Sequence, residues 1–202
     1  MILAIDIGNT NIVLGCIDGG EIRDIVRIQT RVGETDAEYA IKLLQLLSIS
    51  NLDPKGFEGA ILSSVVPPVT VPLTQAVKKV TGLDCMVVGP GMKTGLNLRI
   101  DDPGTLAGDL LVGGVAALSC YGAPAIVMDL GTATTITVVD KDGAFRGGAI
   151  LPGVKLGFRA LAAGTSLLPE ISITPPKRPF PPTSWTACVP ARSSAPPPSW
   201  TG

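Results

Sequence analysis

The chain has 202 residues, 46% of them hydrophobic and 16% charged, with a formal net charge of −1 and no histidine. That is enough apolar sequence for a substantial core in one large domain or two small ones, and no Lys/Arg cluster is dense enough for a nucleic-acid surface. Without histidine, imidazole bases, His–Ser or His–Cys nucleophile pairs and His-ligated metals are excluded.

The four cysteines (Cys16, Cys85, Cys120 and Cys188) share no short spacing, so neither a zinc site nor a redox pair is indicated. Scattered cysteines in a chain this size fit a reducing compartment. The N-terminus is a strand interrupted by Asp6, without the basic start of a signal peptide. No apolar run reaches the ~18–20 residues of a membrane span. A soluble, cytoplasmic protein is expected.

In chain order, residues 1–14 read as an apolar strand, a turn carrying Asp6, Gly8, Asn9 and Thr10, and a second β-branched strand. Residues 21–30 alternate apolar and polar and predict a third strand. The spacing of Ala37, Ala40, Ile41, Leu44 and Leu47 predicts a helix over 35–47, with Thr35 and Asp36 as cap candidates. A buried strand over 59–66, a helix over 69–81 closed by Gly82 and a short strand over 84–88 follow. This β-β-β-α-β-α-β order is that of one ribonuclease-H-like half. Residues 89–95 predict a loop, and 106–121 a helix rich in small residues.

Residues 125–139 then repeat the opening pattern: an apolar strand, Asp129-Leu130-Gly131-Thr132, and a β-branched strand. The expected fold is therefore α/β, with two ribonuclease-H-like halves around a cleft and the two Asp-x-Gly turns facing it. Residues 147–153 read as a loop and 154–163 as a helix. From residue 179 onward the composition shifts to seven prolines, both tryptophans and a single charge, Arg192. Such a stretch reads as disordered. The expected division is 1–121 for the first domain, 122–178 for the start of an incomplete second, and 179–202 for the proline-rich tail.

Each Asp-x-Gly hairpin is open to two readings. One is an ordinary core hairpin. The other is a site for a metal-bound polyphosphate, in which the acid holds the cation and bare N–H groups hold phosphate oxygens. In the second reading the glycines permit positive φ and close phosphate approach, while Asn and Thr donate to phosphate oxygens. No Gly-x4-Gly-Lys-[Ser/Thr] is present, so the device is not a P-loop. Asp109, at a helix start, is either a capping acid or the acceptor of a hydroxyl proton in phosphoryl transfer. Lys93 and Thr94 are either solvated or hold an anionic substrate.

Asp6-Ile7-Gly8-Asn9-Thr10-Asn11, Ser63-Ser64-Val65-Val66-Pro67, Pro90-Gly91-Met92-Lys93-Thr94-Gly95, Asp129-Leu130-Gly131-Thr132 and Gly147-Gly148-Ala149-Ile150-Leu151-Pro152-Gly153, in this order and spacing, resemble type III pantothenate kinase. The resemblance runs from Met1 to about Arg178 and rests on five linked motifs. It implies the acetate and sugar kinase/Hsp70/actin superfamily fold, in which two ribonuclease-H-like halves clasp ATP. It further implies ATP-dependent phosphorylation of pantothenate to 4'-phosphopantothenate, which opens coenzyme A synthesis, in a homodimer with Mg²⁺ and a monovalent cation (K⁺ or NH₄⁺). By the same resemblance Asp6, Ile7, Gly8, Asn9, Thr10, Asn11, Ile12 and Val13 bind ATP, and Thr132 contacts it. Asp129 holds the monovalent cation, and Asp109 accepts the proton. Ala107, Gly108, Asp109, Leu110 and Ser184 meet the substrate.

Two departures qualify this. Leu110 stands where the family usually has an arginine, and leucine cannot make a bidentate contact to an anion. Losing such a contact is worth roughly 1.5–3 kcal/mol, so weaker substrate binding is expected, and a non-catalytic nucleotide-binding homologue is the alternative reading. A related kinase acting on another small hydroxyl acid is a third. The second departure is the tail, where Ser184 replaces the family's substrate-contacting threonine. Trp is encoded only by TGG, so Trp185-Thr186 and Trp200-Thr201 read one base back become an apolar residue followed by Asp. A frameshift near Arg178 is the expectation.

Overall fold

The structure, a computed structural model, describes residues 1–168. Ser184 and the proline-rich tail, with the frameshift expectation attached to them, lie outside the described residues. The first sheet contains β1 (Ile2–Ile7), β2 (Asn11–Asp18), β3 (Glu21–Gln29), β4 (Gly59–Ser64) and β5 (Cys85–Val87) in the order β3-β2-β1-β4-β5. β1 to β3 form an antiparallel meander, while β4 pairs parallel with β1 and β5 parallel with β4. Parallel neighbours need a crossover. Here the helices α1 (Asp36–Ile49) and α2 (Pro67–Thr81) supply it. This is the expected ribonuclease-H-like arrangement.

Both helices begin and end where the local chemistry dictates. Thr35 is the N-cap of α1 in a full capping box: its Oγ1 accepts the Glu38 N–H at 3.3 Å, and Glu38 accepts the Thr35 N–H at 2.7 Å. α2 starts two residues earlier than the apolar spacing suggests, because Pro67 and Pro68 occupy first-turn positions that need no N–H. It stops at Gly82, which takes φ 84° and donates its N–H to the Lys78 carbonyl. An ion pair between Asp36 and Lys79 links the two helices.

Alternation along β1 and β2 sends Leu3, Ile5, Ile7, Ile12 and Leu14 into one core. Tyr39 and Leu43 of α1 and Val69, Leu73 and Val77 of α2 close over them. Cys16 is a buried member of that core. Cys16, Cys85 and Cys120 are free thiols, and burial pushes Cys85 up to about 11.

The second sheet contains β6 (Asn97–Leu98), β7 (Ala125–Leu130), β8 (Ala133–Val139) and β9 (Ala144–Pro152) in the order β6-β9-β8-β7. α3 (Gly108–Tyr121) precedes β7, and α4 (Val154–Gly164) follows β9. The run β7-β8-β9 restarts the strand meander, as the repeated pattern requires. α3 packs with Val88, Leu96 and Phe145 around Leu111 in a second apolar cluster. Gly114 makes room there: a Cβ on it would stand 2.8 Å from Leu96 Cδ2 and 3.1 Å from Phe145 Cδ2. On β7, Ile126 and Met128 are exposed by 73% and 58%.

Residues 147–153 are not a loop. Residues 147–152 form the second part of β9, and Gly153 is the N-cap of α4. Gly148 lies so close to β8 that a Cβ would fall 1.9 Å from the Ile136 carbonyl oxygen. Its glycine therefore marks a close strand approach rather than a turn. The two-residue β6, paired parallel with β9, is too short to carry a periodicity of its own.

By compactness the chain forms two units. One comprises Met1–Asp129 and Thr135–Ala149; the other comprises Leu130–Thr134 and the described part of Ile150–Gly202.

Candidate active site

Asp6 is the penultimate residue of β1, in register with Val13 on β2 and with Ser63 on β4. The turn that follows is clamped at three points. Gly8 N–H donates to the Asn11 carbonyl at 3.0 Å, Thr30 Oγ1 donates to the Gly8 carbonyl at 2.7 Å, and Thr30 N–H donates to the Thr10 carbonyl at 2.9 Å. Gly8 does not use the positive φ that glycine permits. What glycine provides at Gly8 is space, since a Cβ would stand 3.2 Å from the Asn11 carbonyl oxygen. Within the 6–13 segment Ile7 and Ile12 are fully buried core residues, which leaves only their backbone to meet a ligand. Asn9 and Thr10 are exposed, and Asn11 and Val13 are half-buried.

Asp109 lies in the first turn of α3, whose N-cap is Ala107. Ala107 caps through its backbone alone, its carbonyl accepting the Leu111 N–H at 3.1 Å. Asp109 Oδ1 accepts the Leu110 N–H at 2.8 Å. Asp109 is therefore not the cap of α3, which has no side-chain cap hydrogen bond; its Oδ1 bonds within the first turn instead. Leu110 packs at the edge of the apolar cluster around Leu111 and Phe145.

Asp6, Asp109 and Asp129 converge electrostatically within the first unit. The Asp6 carboxyl is held above the usual carboxylate range, first by desolvation and then by the negative charges of Asp109 and Asp129. Asp6 is open to solvent on its strand, so crowding by protein atoms on one side, rather than enclosure, causes that desolvation. Like charges that repel one another in this way are relieved by a cation. Among the described residues, however, no three acidic or sulfur ligands stand close enough to hold a metal by themselves.

In the second unit, Thr132 sits in the turn between β7 and β8, and its carbonyl accepts the Gly153 N–H at 3.0 Å. A Cβ on Gly153 would come within 2.3 Å of the Gly131 carbonyl oxygen and 2.4 Å of that of Thr132, so the start of α4 lies directly on this turn. Lys93 is exposed, and Thr94 Oγ1 accepts the Leu96 N–H at 3.4 Å. A concavity of about 650 Å³, lined by Asp18, Arg23, Asp24 and Ser50, contains none of these groups. It is a groove beside β3 whose polar groups already pair, Arg23 with Asp18 and Ser50 with Asp24.

The residue that sequence reasoning missed is Ser63. Its hydroxyl is buried beside Asp6 and has no hydrogen-bond partner among the described residues. No pattern separates Ser63 from Ser64. Only the strand register does.

The type III pantothenate kinase family model matches residues 2–191. The chain belongs to the type III pantothenate kinase family. A type III pantothenate kinase of Bifidobacterium animalis subsp. lactis (strain AD011) is 48% identical over 177 residues, covering 88% of this chain and 70% of the relative. One from Moorella thermoacetica (strain ATCC 39073 / JCM 9320) is 43% identical over 178 residues, with coverage of 88% and 70%. Among solved structures, the ethanolamine utilization protein EutJ of Carboxydothermus hydrogenoformans aligns at TM-score 0.44 and 20% identity, covering 80% of this chain and 56% of that one. The ROK hexokinase of Thermus thermophilus aligns at TM-score 0.39 and 14% identity, covering 72% and 48%. Membership in a family of type III pantothenate kinases disfavours the non-catalytic alternative. Among the described residues no helix is long and apolar enough to cross a membrane.

Proposed function

We propose that this chain transfers the γ-phosphoryl group of ATP to the primary hydroxyl of pantothenate, giving 4'-phosphopantothenate and ADP, the entry step of coenzyme A synthesis. The observation that carries this reading is the convergence of Asp6, Asp109 and Asp129 in one electrostatic neighbourhood. The hydroxyl oxygen bonds to the γ-phosphorus, and the bond from that phosphorus to the β–γ bridging oxygen breaks. The hydroxyl proton passes to Asp109 Oδ2, since Oδ1 is held by the Leu110 N–H. A carboxylate suffices as acceptor because the proton leaves late in a loose transition state.

Asp6 and the clamped 8–13 backbone would face the ATP phosphates, and Thr132 would contact the nucleotide. Mg²⁺ would neutralise charge building on the phosphates, with Asp6 as its protein anchor. Asp129 would hold K⁺ or NH₄⁺. Ala107, Gly108 and Leu110 would line the pantothenate side, with Ser184 contributing from the tail. In this reading residues 1–121 form the first ribonuclease-H-like domain, 122–178 open the second, and the enzyme works as a cytoplasmic homodimer.

The test is pantothenate-dependent ADP release in Mg²⁺ buffer, with K⁺, NH₄⁺, Na⁺ or Li⁺ as the sole monovalent ion. Turnover dependent on pantothenate and depressed in Na⁺ or Li⁺ is expected. A chain that binds ATP but never turns over with pantothenate refutes the kinase reading, and indifference to the monovalent ion removes that role from Asp129.

A further inference from the structure

Ser63 and Ser64 are neighbours with different fates. Ser64 is fully used: its Oγ accepts the Val66 N–H at 3.0 Å and the Thr70 hydroxyl at 2.8 Å, tying the end of β4 to the start of α2. Ser63 is 6% exposed, and its hydroxyl bonds to nothing among the described residues. A buried hydroxyl left unpaired is destabilising, and such groups in folded proteins call for an explanation.

Its surroundings point to one. Ser63 is in parallel register with Asp6, so the two side chains share one face of the sheet. That face meets the start of α3: a Cβ built on Gly108 would stand 3.2 Å from Ser63 Oγ. The first N–H groups of a helix have no intrahelical acceptor. In α3 the Leu110 N–H is taken by Asp109 Oδ1 and the Leu111 N–H by the Ala107 carbonyl. Gly108 and Asp109 are first-turn positions whose N–H groups find no acceptor inside the helix, and the unpartnered Ser63 hydroxyl faces Gly108.

We propose that Ser63 is a positioning residue for phosphoryl transfer, its hydroxyl accepting a first-turn N–H of α3 when nucleotide and acceptor fill the site and thereby fixing the Asp109 carboxylate. This rests on the kinase reading for the acceptor hydroxyl. Gly108 is part of the same device, because a side chain there would push the turn away from Ser63. Made only when ligands fill the site, the contact gives the bound state an interaction that the free state lacks.

The experiment compares the full-length chain with Ser63→Ala and with Ser63→Cys, which nearly preserves volume but hydrogen-bonds weakly. Two readouts are used. The first is the split between kcat and KM. Both variants should lose at least fivefold in kcat with KM for ATP and pantothenate within twofold, while Tm is unchanged or raised in Ser63→Ala because an orphan hydroxyl is gone. The second is hydrogen exchange at the Gly108 and Asp109 amides with a non-hydrolysable ATP analogue, Mg²⁺ and pantothenate. Protection should appear in the wild-type chain and be lost in both variants. A kcat loss below fivefold in an active enzyme, a rise in KM alone, a lowered Tm in Ser63→Ala, or no ligand-dependent protection in the wild-type chain would overturn the proposal. Absent turnover alone defeats the kinase reading, and the exchange measurement still decides Ser63.

Discussion

Asp109→Asn separates the two tasks that the structure gives this side chain. Its Oδ1 accepts the Leu110 N–H at 2.8 Å within the first turn of α3. An asparagine oxygen can keep that bond, so the helix start is retained and the change in stability should stay within about 0.5 kcal/mol. Asp109→Ala removes the acceptor as well and should cost roughly 0.5–1.5 kcal/mol, the net worth of one hydrogen bond. Proton acceptance is lost in both. General-base catalysis contributes about 10²–10⁴-fold, equivalent to ~2.7–5.4 kcal/mol of barrier, so kcat should fall by that factor in both variants despite their different stabilities. Steady-state ADP release gives kcat, nucleotide affinity is read by fluorescence titration, and thermal melts give stability. If Asp109→Asn keeps more than about a tenth of wild-type kcat, a contribution below ~1.4 kcal/mol, Asp109 is not the base.

Other expectations follow from the same contacts. Asp6 has a folded-state pKa raised above its unfolded value. The stability tied to it is therefore complete below the unfolded carboxylate pKa of ~3.9 and is lost as pH rises through the folded value. Without nucleotide or divalent ion, Asp6→Asn should melt higher than wild type at neutral pH, and the gap should close on acidification; a gap constant from pH ~3.5 to ~7.5 refutes the assigned repulsion. Nucleotide affinity of the same variant should fall. Gly114→Val places methyl groups where Leu96 and Phe145 pack; overpacking of ~1–3 kcal/mol is expected by denaturant melts, and Phe145→Leu in the same chain should recover part of it. Thr35→Ala removes half of the α1 capping box and should cost about 1 kcal/mol, leaving kcat untouched.

Much of the fold could be read from the sequence because its signals are local. The Asp-x-Gly turn between two β-branched strands appears twice and yields β1-β2 and β7-β8. Thr35 with Glu38 announces α1, and Gly82 ends α2 in the left-handed conformation only glycine adopts freely. What could not be read depends on contacts distant in sequence. Gly147 and Gly148 look like a turn until β8 is laid against them, and Gly148 then proves to be required within a strand. β6 exists only because β9 pairs with it. The carboxylates were found as residue types, but their mutual repulsion follows from the packing of β1, α3 and β7. Ser63 needed the register Asp6↔Ser63 to be distinguished from its neighbour.

β7 carries a last consequence. Among the described residues it lies at the end of its sheet in the order β6-β9-β8-β7, with Ile126 and Met128 exposed and Asp129 as its one charge. An open strand edge is a template for pairing with another chain. An apolar stripe beside it leaves little to oppose such growth. Handling of the purified protein is therefore governed by concentration as much as by temperature. Light scattering should rise steeply with protein load, and Ile126→Lys should suppress it by placing a gatekeeper charge on the exposed stripe.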